Sequence, residues 1–149
     1  MILKFEDLVE KAKGDLDLNP DNLITASANT GIDMVFYAEQ RKNWVEARDH
    51  AETTLKRIAR YLWLYYNGKA TAQQLSLINK KQPFKLQLNT KQDIETFIES
   101  DTEYLTQKQL VNEAESVIKF LDEVIGAIRF RAQVVRNMIQ EKHSFESNN

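Results

Sequence analysis

The chain reads as an all-α protein: two long helices in a hairpin, a short helical and extended insert between them, and self-association through the C-terminal helix. Three observations predict this. The 149 residues include only four glycines and two prolines, so helix breakers are scarce. From Pro20 to Asn67-Gly68 no proline or strong breaker interrupts the chain, with Gly31 the one weak point. Near the C-terminus, Val111, Ala114, Ile118, Leu121, Ile125, Ile128, Ala132, Val135 and Ile139 follow one another at spacings of three and four, a sustained apolar seam.

Taken in order, Leu3 to Lys13 is expected to form a short amphipathic helix with Phe5, Leu8 and Val9 on one face, ended by Gly14. Asn19 before Pro20 is a favourable N-cap with proline at the first helical position, and Asp21 suits the positive end of the helix dipole. The helix that follows, of about 47 residues, would be about 70 Å long. Its apolar stripe (Leu23, Ala26, Met34, Tyr37, Trp44, Ala51, Leu55, Ile58, Leu62, Tyr65) is thin and includes Arg41 and Arg48, so it needs a partner helix.

Asn67-Gly68 stops that helix. Residues 70–79 suit a short helix, and Phe84, Leu86 and Leu88 alternate in an extended segment after Pro83. Thr90 with Asp93 resembles a capping box that starts a helix through Ile98. Asp101 caps the last helix, which is expected to run to about Lys142. Beside its seam lies a second row, Leu110, Val117, Val124 and Met138, so the helix can bury against two neighbours. The chain is thus expected to be one domain. Residues 1–66 would hold the short N-terminal helix and the long basic and aromatic one, 67–100 an insert, 101–143 an oligomerisation helix and 144–149 a frayed polar tail.

Composition excludes several classes. There is no cysteine, and His50 and His143 lack ligand spacing, so neither a disulfide nor a metal site is expected. No glycine-rich phosphate loop, HExxH or G-x-S-x-G is present, so neither enzymatic activity nor a cofactor is expected. No run of about 18 apolar residues occurs, and the N-terminus MILKFEDLVEK is charged too early for a signal peptide, so the chain reads as soluble and intracellular, without a membrane partner. The net charge of −2 gives no global attraction to nucleic acid, so any anion site must be a local patch.

One such patch stands out. KRIARYLWLYYNGK, residues 56–69, holds four basic residues, four aromatics and no acid. Lys56 and Arg60 share one helix face with Arg57 beside them, while Leu55, Ile58, Leu62 and Tyr65 face the core. The basic groups can neutralise phosphates, and Tyr61, Trp63 and Tyr66 can stack on unpaired bases, a pairing of chemistries that single-stranded DNA offers. Lys69, Lys80 and Lys81 extend the positive path into the insert. The alternative is that the aromatics seal the end of the hairpin and the cations only solvate it. A second basic group, Arg129, Arg131 and Arg136, suits the C-terminal half of a helix.

Several segments, in order, carry a resemblance: FEDLVEK, DLDLNPDNL, ASANTGIDMVFYAEQRKNW, YYNGKA, KKQPFKLQLNTKQDIETFIESDTEYL and FLDEVIGAIRFRAQVVRNMIQEKHSF. This ordered set resembles the UvsY-type recombination mediators of T4-like bacteriophages over nearly the whole chain. The resemblance implies a non-enzymatic protein that binds single-stranded DNA and forms homo-oligomeric rings, hexamers or heptamers. It implies that the protein helps load a phage RecA-like recombinase onto DNA coated by the phage single-strand-binding protein, in the cytoplasm of an infected bacterial host. It supports Lys56, Arg57 and Arg60 as DNA contacts. It ties self-association to the C-terminal helix, here Val111, Ile118, Leu121, Ile125, Ile128, Val135 and Ile139. Leu62 stands where some members carry a cation. The same seam also suits a coiled-coil adaptor that binds no nucleic acid.

Overall fold

The computed structural model describes residues 1–148 and is all-α, with no strand among them. Its helices are α1 (Phe5–Leu16), α2 (Leu23–Tyr66), α3 (Ala72–Leu77), α4 (Lys91–Glu99) and α5 (Thr102–Ser147), with a 3₁₀ turn, Pro20–Asn22, before α2. The chain divides into two compact units. Unit 1 comprises Met1–Val45 and the chain from Ser116 onward; unit 2 comprises Glu46–Glu115. Both α2 and α5 contribute a segment to each.

Local chemistry sets most helix ends. Asn19 accepts from Asp21 N–H, and Asn22 reaches back to Asn19 N–H, a reciprocal cap that begins the chain's entry into α2. At its far end Gly68 N–H donates to Tyr65 O and Lys69 N–H to Leu64 O, a Schellman pair that requires the left-handed Gly68 (φ +71°). α3 opens on a Thr71–Gln74 capping box and closes the same way, with Asn79 left-handed at φ +55° and Lys80 N–H on Leu75 O. Thr90 caps α4 through Asp93 N–H, and Asp101 caps α5 through Glu103 N–H.

Two helix ends depart from expectation. α1 passes through Gly14 to Leu16, because Leu16 packs on the unit 1 core and the Lys11–Asp15 pair, at 2.7 Å, supports the last turn. α5 continues to Ser147 rather than stopping near Lys142, so most of the expected tail is helical; nothing after Asp101 but Gly126 weakens it. The segment after Pro83 is not a strand. Phe84 and Leu88 turn inward onto the unit 2 core while Leu86 is exposed, since a lone extended segment has no partner to hold it pleated.

In unit 1, Leu8 and Ala12 of α1 and Tyr37 of α2 pack with Val117, Leu121, Val124, Ile125 and Ile128 of α5. The inward row of α2 is polar in places: Ala26, Asp33, Tyr37 and Gln40 are buried, and Thr30 and Trp44 half-buried. Each polar member is paired. Gln40 accepts from Leu3 N–H and donates to Met1 O, and Trp44 donates to Leu3 O. Tyr37 donates to Asp15 at 2.8 Å; burial first, then this carboxylate, push the phenol well above its ordinary pKa. Arg131 is the correction to the second basic group. It is buried, pairs with Asp33 at 3.1 Å and donates also to Thr30 and to Asp15 O, so it anchors a core instead of presenting charge. Arg41 bridges to Asp122 at 2.5 Å on the surface of the same unit.

In unit 2, Leu62, Tyr66, Ile78, Ile94 and Ile98 form the core, flanked by Ile58, Tyr61, Trp63, Tyr65, Phe84, Leu88 and Tyr104. Gln107 of α5 donates to Ala51 O of α2.

Candidate nucleic-acid interface

The expected cations stand where helical spacing puts them. Lys56, Arg57 and Arg60 are all exposed on α2, and among the described residues none of them enters an ion pair at 4.0 Å or less. Lys56, Arg60 and Trp63, at i, i+4 and i+7, lie along one face. Leu62 beneath them is fully buried, and Ile58 and Tyr65 pack on the same core, so the helix that carries the cations is held rigidly from behind. Lys69 is exposed just past the Gly68 turn.

The aromatics divide. Tyr61 and Trp63 are half-buried and keep surface toward solvent. Tyr66, an expected stacking residue, is instead core: it is 7% exposed, donates to Asp101 Oδ2 at 2.6 Å and packs against Tyr65, Phe84 and Phe97. Burial first, then the Asp101 hydrogen bond, raise its phenol pKa. No ring so enclosed can meet a base, so Tyr66 leaves the set of stacking candidates.

Lys80 changes role as well. Its ammonium lies 2.8 Å from Asp101, whose side chain is 1% exposed, and 5.3 Å above the Tyr65 ring. Burial alone would push Asp101 up, but the Lys80 and Tyr66 hydrogen bonds and the Glu103 N–H outweigh it and hold the carboxyl below its usual value. Lys80 therefore fastens the loop after α3 to the start of α5. Its neighbour Lys81 is exposed.

Lys85 was missed by sequence reading, although a signal existed. No Asp or Glu occurs between Glu52 and Asp93, while Lys56, Arg57, Arg60, Lys69, Lys80, Lys81, Lys85 and Lys91 do. Lys85 is exposed beside Phe84, whose ring meets Tyr65 and Tyr66 at centroid distances of 5.4 and 4.8 Å, which ties this basic loop to the end of α2. Lys91 makes only a loose exposed pair with Glu95 at 3.8 Å. A groove of about 350 Å³ runs beside Arg60, with Trp63, Ile98, Tyr104, Glu95 and Glu99 on its walls.

Of the residues expected to mediate self-association, Val111, Ile118, Leu121, Ile125, Ile128 and Val135 are buried within the chain itself, and only Ile139, at 42% exposure, is open. The large apolar side chains that unit 1 does leave exposed include Ile24, Ile32 and Val35 of α2 and Phe130 and Phe145 of α5. Among the described residues no helix is long and apolar enough to cross a membrane.

Paired helices and an exposed cationic, aromatic-bordered face on unit 2 define the class: an all-α protein with a local basic surface. Residues 11–149 match the family described as "Recombination, repair and ssDNA binding protein UvsY", and the chain belongs to that family. A crystal structure of the bacteriophage T4 recombination mediator protein UvsY shares the fold, with a TM-score of 0.81 at 19% identity over 97% of this chain and 98% of that one. Structures of the same T4 protein in two further lattices give TM-scores of 0.80 and 0.79 at 17% and 18% identity, covering 96% and 94% of this chain and 99% and 98% of theirs. Comparison with curated proteins found no match.

Proposed function

We propose that this chain binds single-stranded DNA through Lys56, Arg57 and Arg60 and acts as a recombination mediator. It helps load a phage RecA-like recombinase onto DNA coated by single-strand-binding protein, in the cytoplasm of an infected bacterium. The observation that carries the reading is the trio of exposed cations with no ion-pair partner among the described residues, in a stretch free of carboxylates, on a chain of the UvsY family. Lys69, Lys81 and Lys85 add charge to the path, and Tyr61 and Trp63 give bases an apolar surface to stack on.

Binding works as a homo-oligomer, hexameric or heptameric. Each copy contributes a weak patch, and repetition raises the effective concentration of the next contact once one is made. A strand held at repeated points is bent away from the path that the coating protein imposes and is handed to the recombinase. The apolar side chains exposed on unit 1, with Ile139, are the surface for self-association; Ile24, Ala28, Ile32 and Val35 follow one helix face.

Fluorescence anisotropy with a labelled single strand, measured from about 50 to about 200 mM salt, tests the DNA contact. Lys56→Ala with Arg60→Ala should weaken binding about tenfold and flatten the log–log salt slope by about 1.4, two contacts at about 0.7 each. The oligomer should keep its mass. An unchanged slope would remove these residues from the DNA path, and no salt-sensitive binding by the unmodified chain would favour a coiled-coil adaptor.

A further inference from the structure

We infer that the groove beside Arg60 is a base pocket that favours guanine over thymine, an inference that rests on the single-stranded DNA reading above. The groove lies within unit 2, its walls formed by Arg60, Trp63, Ile98, Tyr104, Glu95 and Glu99, and at about 350 Å³ it has room for one planar base. Its chemistry is sorted by position. Arg60 belongs to the cationic face of α2, one turn from Lys56 and one turn before Trp63. Trp63 and Tyr104 offer aromatic surface, and Ile98, which is buried, gives an apolar wall. Glu95 and Glu99, one turn apart on α4, bring two carboxylates.

Those carboxylates decide what enters. Two carboxylates outnumber the single cation, Arg60, on the walls, so a phosphate is disfavoured inside and is held by Lys56, Arg57 and the rim at Arg60, and a strand following these cations offers the groove a base. A carboxylate accepts hydrogen bonds and donates none. Guanine carries adjacent N1–H and N2–H donors on its Watson–Crick edge, which both oxygens of one carboxylate can accept. Thymine carries a single N–H between two carbonyl oxygens, and those oxygens face the carboxylate unfavourably. Unpaired bases expose this edge, whereas a duplex hides it, so the pocket also selects single strands. Glu95 is loosely held by Lys91 at 3.8 Å, and Glu99 enters no ion pair among the described residues, so both are free to turn to a base.

The test needs three oligonucleotides of equal length: all thymidine, thymidine with isolated deoxyguanosines, and the same with deoxyinosine at each guanosine position. Because hypoxanthine lacks the N2 amine, it isolates the paired donor without altering the protein. The guanosine strand should bind the unmodified chain about fivefold more tightly than the thymidine strand, with inosine between them. Glu95→Gln with Glu99→Gln should erase the preference while tightening binding to thymidine, because two negative charges leave the phosphate path. Equal binding of all three strands overturns the base pocket and leaves the DNA reading standing. A preference that survives the double substitution overturns the role of the carboxylates. Absence of binding to any strand overturns the pocket together with the DNA reading.

Discussion

The two units differ in what they leave on their surfaces. Unit 1 buries Asp33 and Arg131 as a pair and leaves Ile24, Ile32 and Val35 at 84%, 69% and 68% exposure on its surface. Unit 2 builds its core mostly from aromatic and aliphatic side chains and sends Lys56, Arg57 and Arg60 outward with no ion-pair partner among the described residues. A buried pair fixes register because neither partner can move without stranding the other; unpaired surface cations stabilise little and are available to a ligand. The difference teaches that basic residues in this chain cannot be counted as one population. Arg131 and Arg129 are two positions apart on one helix, yet one is a core anchor and the other is exposed.

The sharpest way to break the contrast is at that anchor. Arg131→Ala strands the Asp33 carboxylate and leaves Asp15 O and Thr30 short of a donor, so it should lower stability by about 3–5 kcal/mol. Arg129→Ala, next door but exposed, should stay within about 0.5 kcal/mol. Chemical denaturation of both variants measures this, and equal midpoints would mean the Asp33–Arg131 pair holds nothing.

Unit 2 has one buried charge of its own, and its effect is smaller and tied to pH. The folded-state pKa of Asp101 lies below its unfolded value of about 3.9, so its contribution is complete above that value and is lost as pH falls through the folded pKa. Asp101→Asn removes the charge that Lys80 meets and weakens the acceptor for Tyr66. It should cost about 2 kcal/mol at neutral pH. The gap between the variant and the unmodified chain should close on acidification below about pH 4. A gap that stays constant down to about pH 3 would assign the Asp101 contribution to its hydrogen bond from Tyr66 and not to its charge, since Asn caps a helix as well as Asp does.

The capped helix ends were legible because caps are local: Asn19, Thr90, Asp101 and Asn67-Gly68 each act within a few residues, whereas the C-terminal ends of α1 and α5 were set by packing and helix continuation. The face of each helix was less so. The inward row of α2 in unit 1 runs Ala26, Thr30, Asp33, Tyr37, Gln40, Trp44 at spacings of four and three, but its polar members hide it from a search for apolar periodicity. Arg131 likewise sits three after Ile128 and four before Val135, a core position whose signal was its register. Tyr66 rather than Tyr65 turns deepest inward because Phe84 and Phe97, distant in sequence, close on it. Helical spacing alone puts Lys56, Arg57 and Arg60 on the outer face of α2; their reading as DNA contacts came from the family resemblance. The groove needed α4 to bring Glu95 and Glu99 beside α2, which no local pattern states.

The least costly substitution for folding tests the apolar half of the contrast. Ile125 looks like a natural place to put a charge on the seam, but its side chain is 9% exposed and packed in the unit 1 core. Ile125→Asp would bury an unpaired carboxylate and unfold the unit, so any loss of assembly would follow from loss of the fold. Ile32 is 69% exposed, on the helix face that also carries Ile24 and Val35. Ile32→Asp should leave stability within about 0.5 kcal/mol, because most of its side chain is already in solvent. If copies meet through this face, the carboxylate is buried only in the assembly, and the mass measured by light scattering should fall at micromolar concentration. Repulsion between subunits should also reduce the avidity for long single strands more than for short ones, since only long strands span several copies. An unchanged mass would show that the exposed row of α2 is not where copies meet, and would turn attention to Phe130, Ile139 and Phe145 on α5.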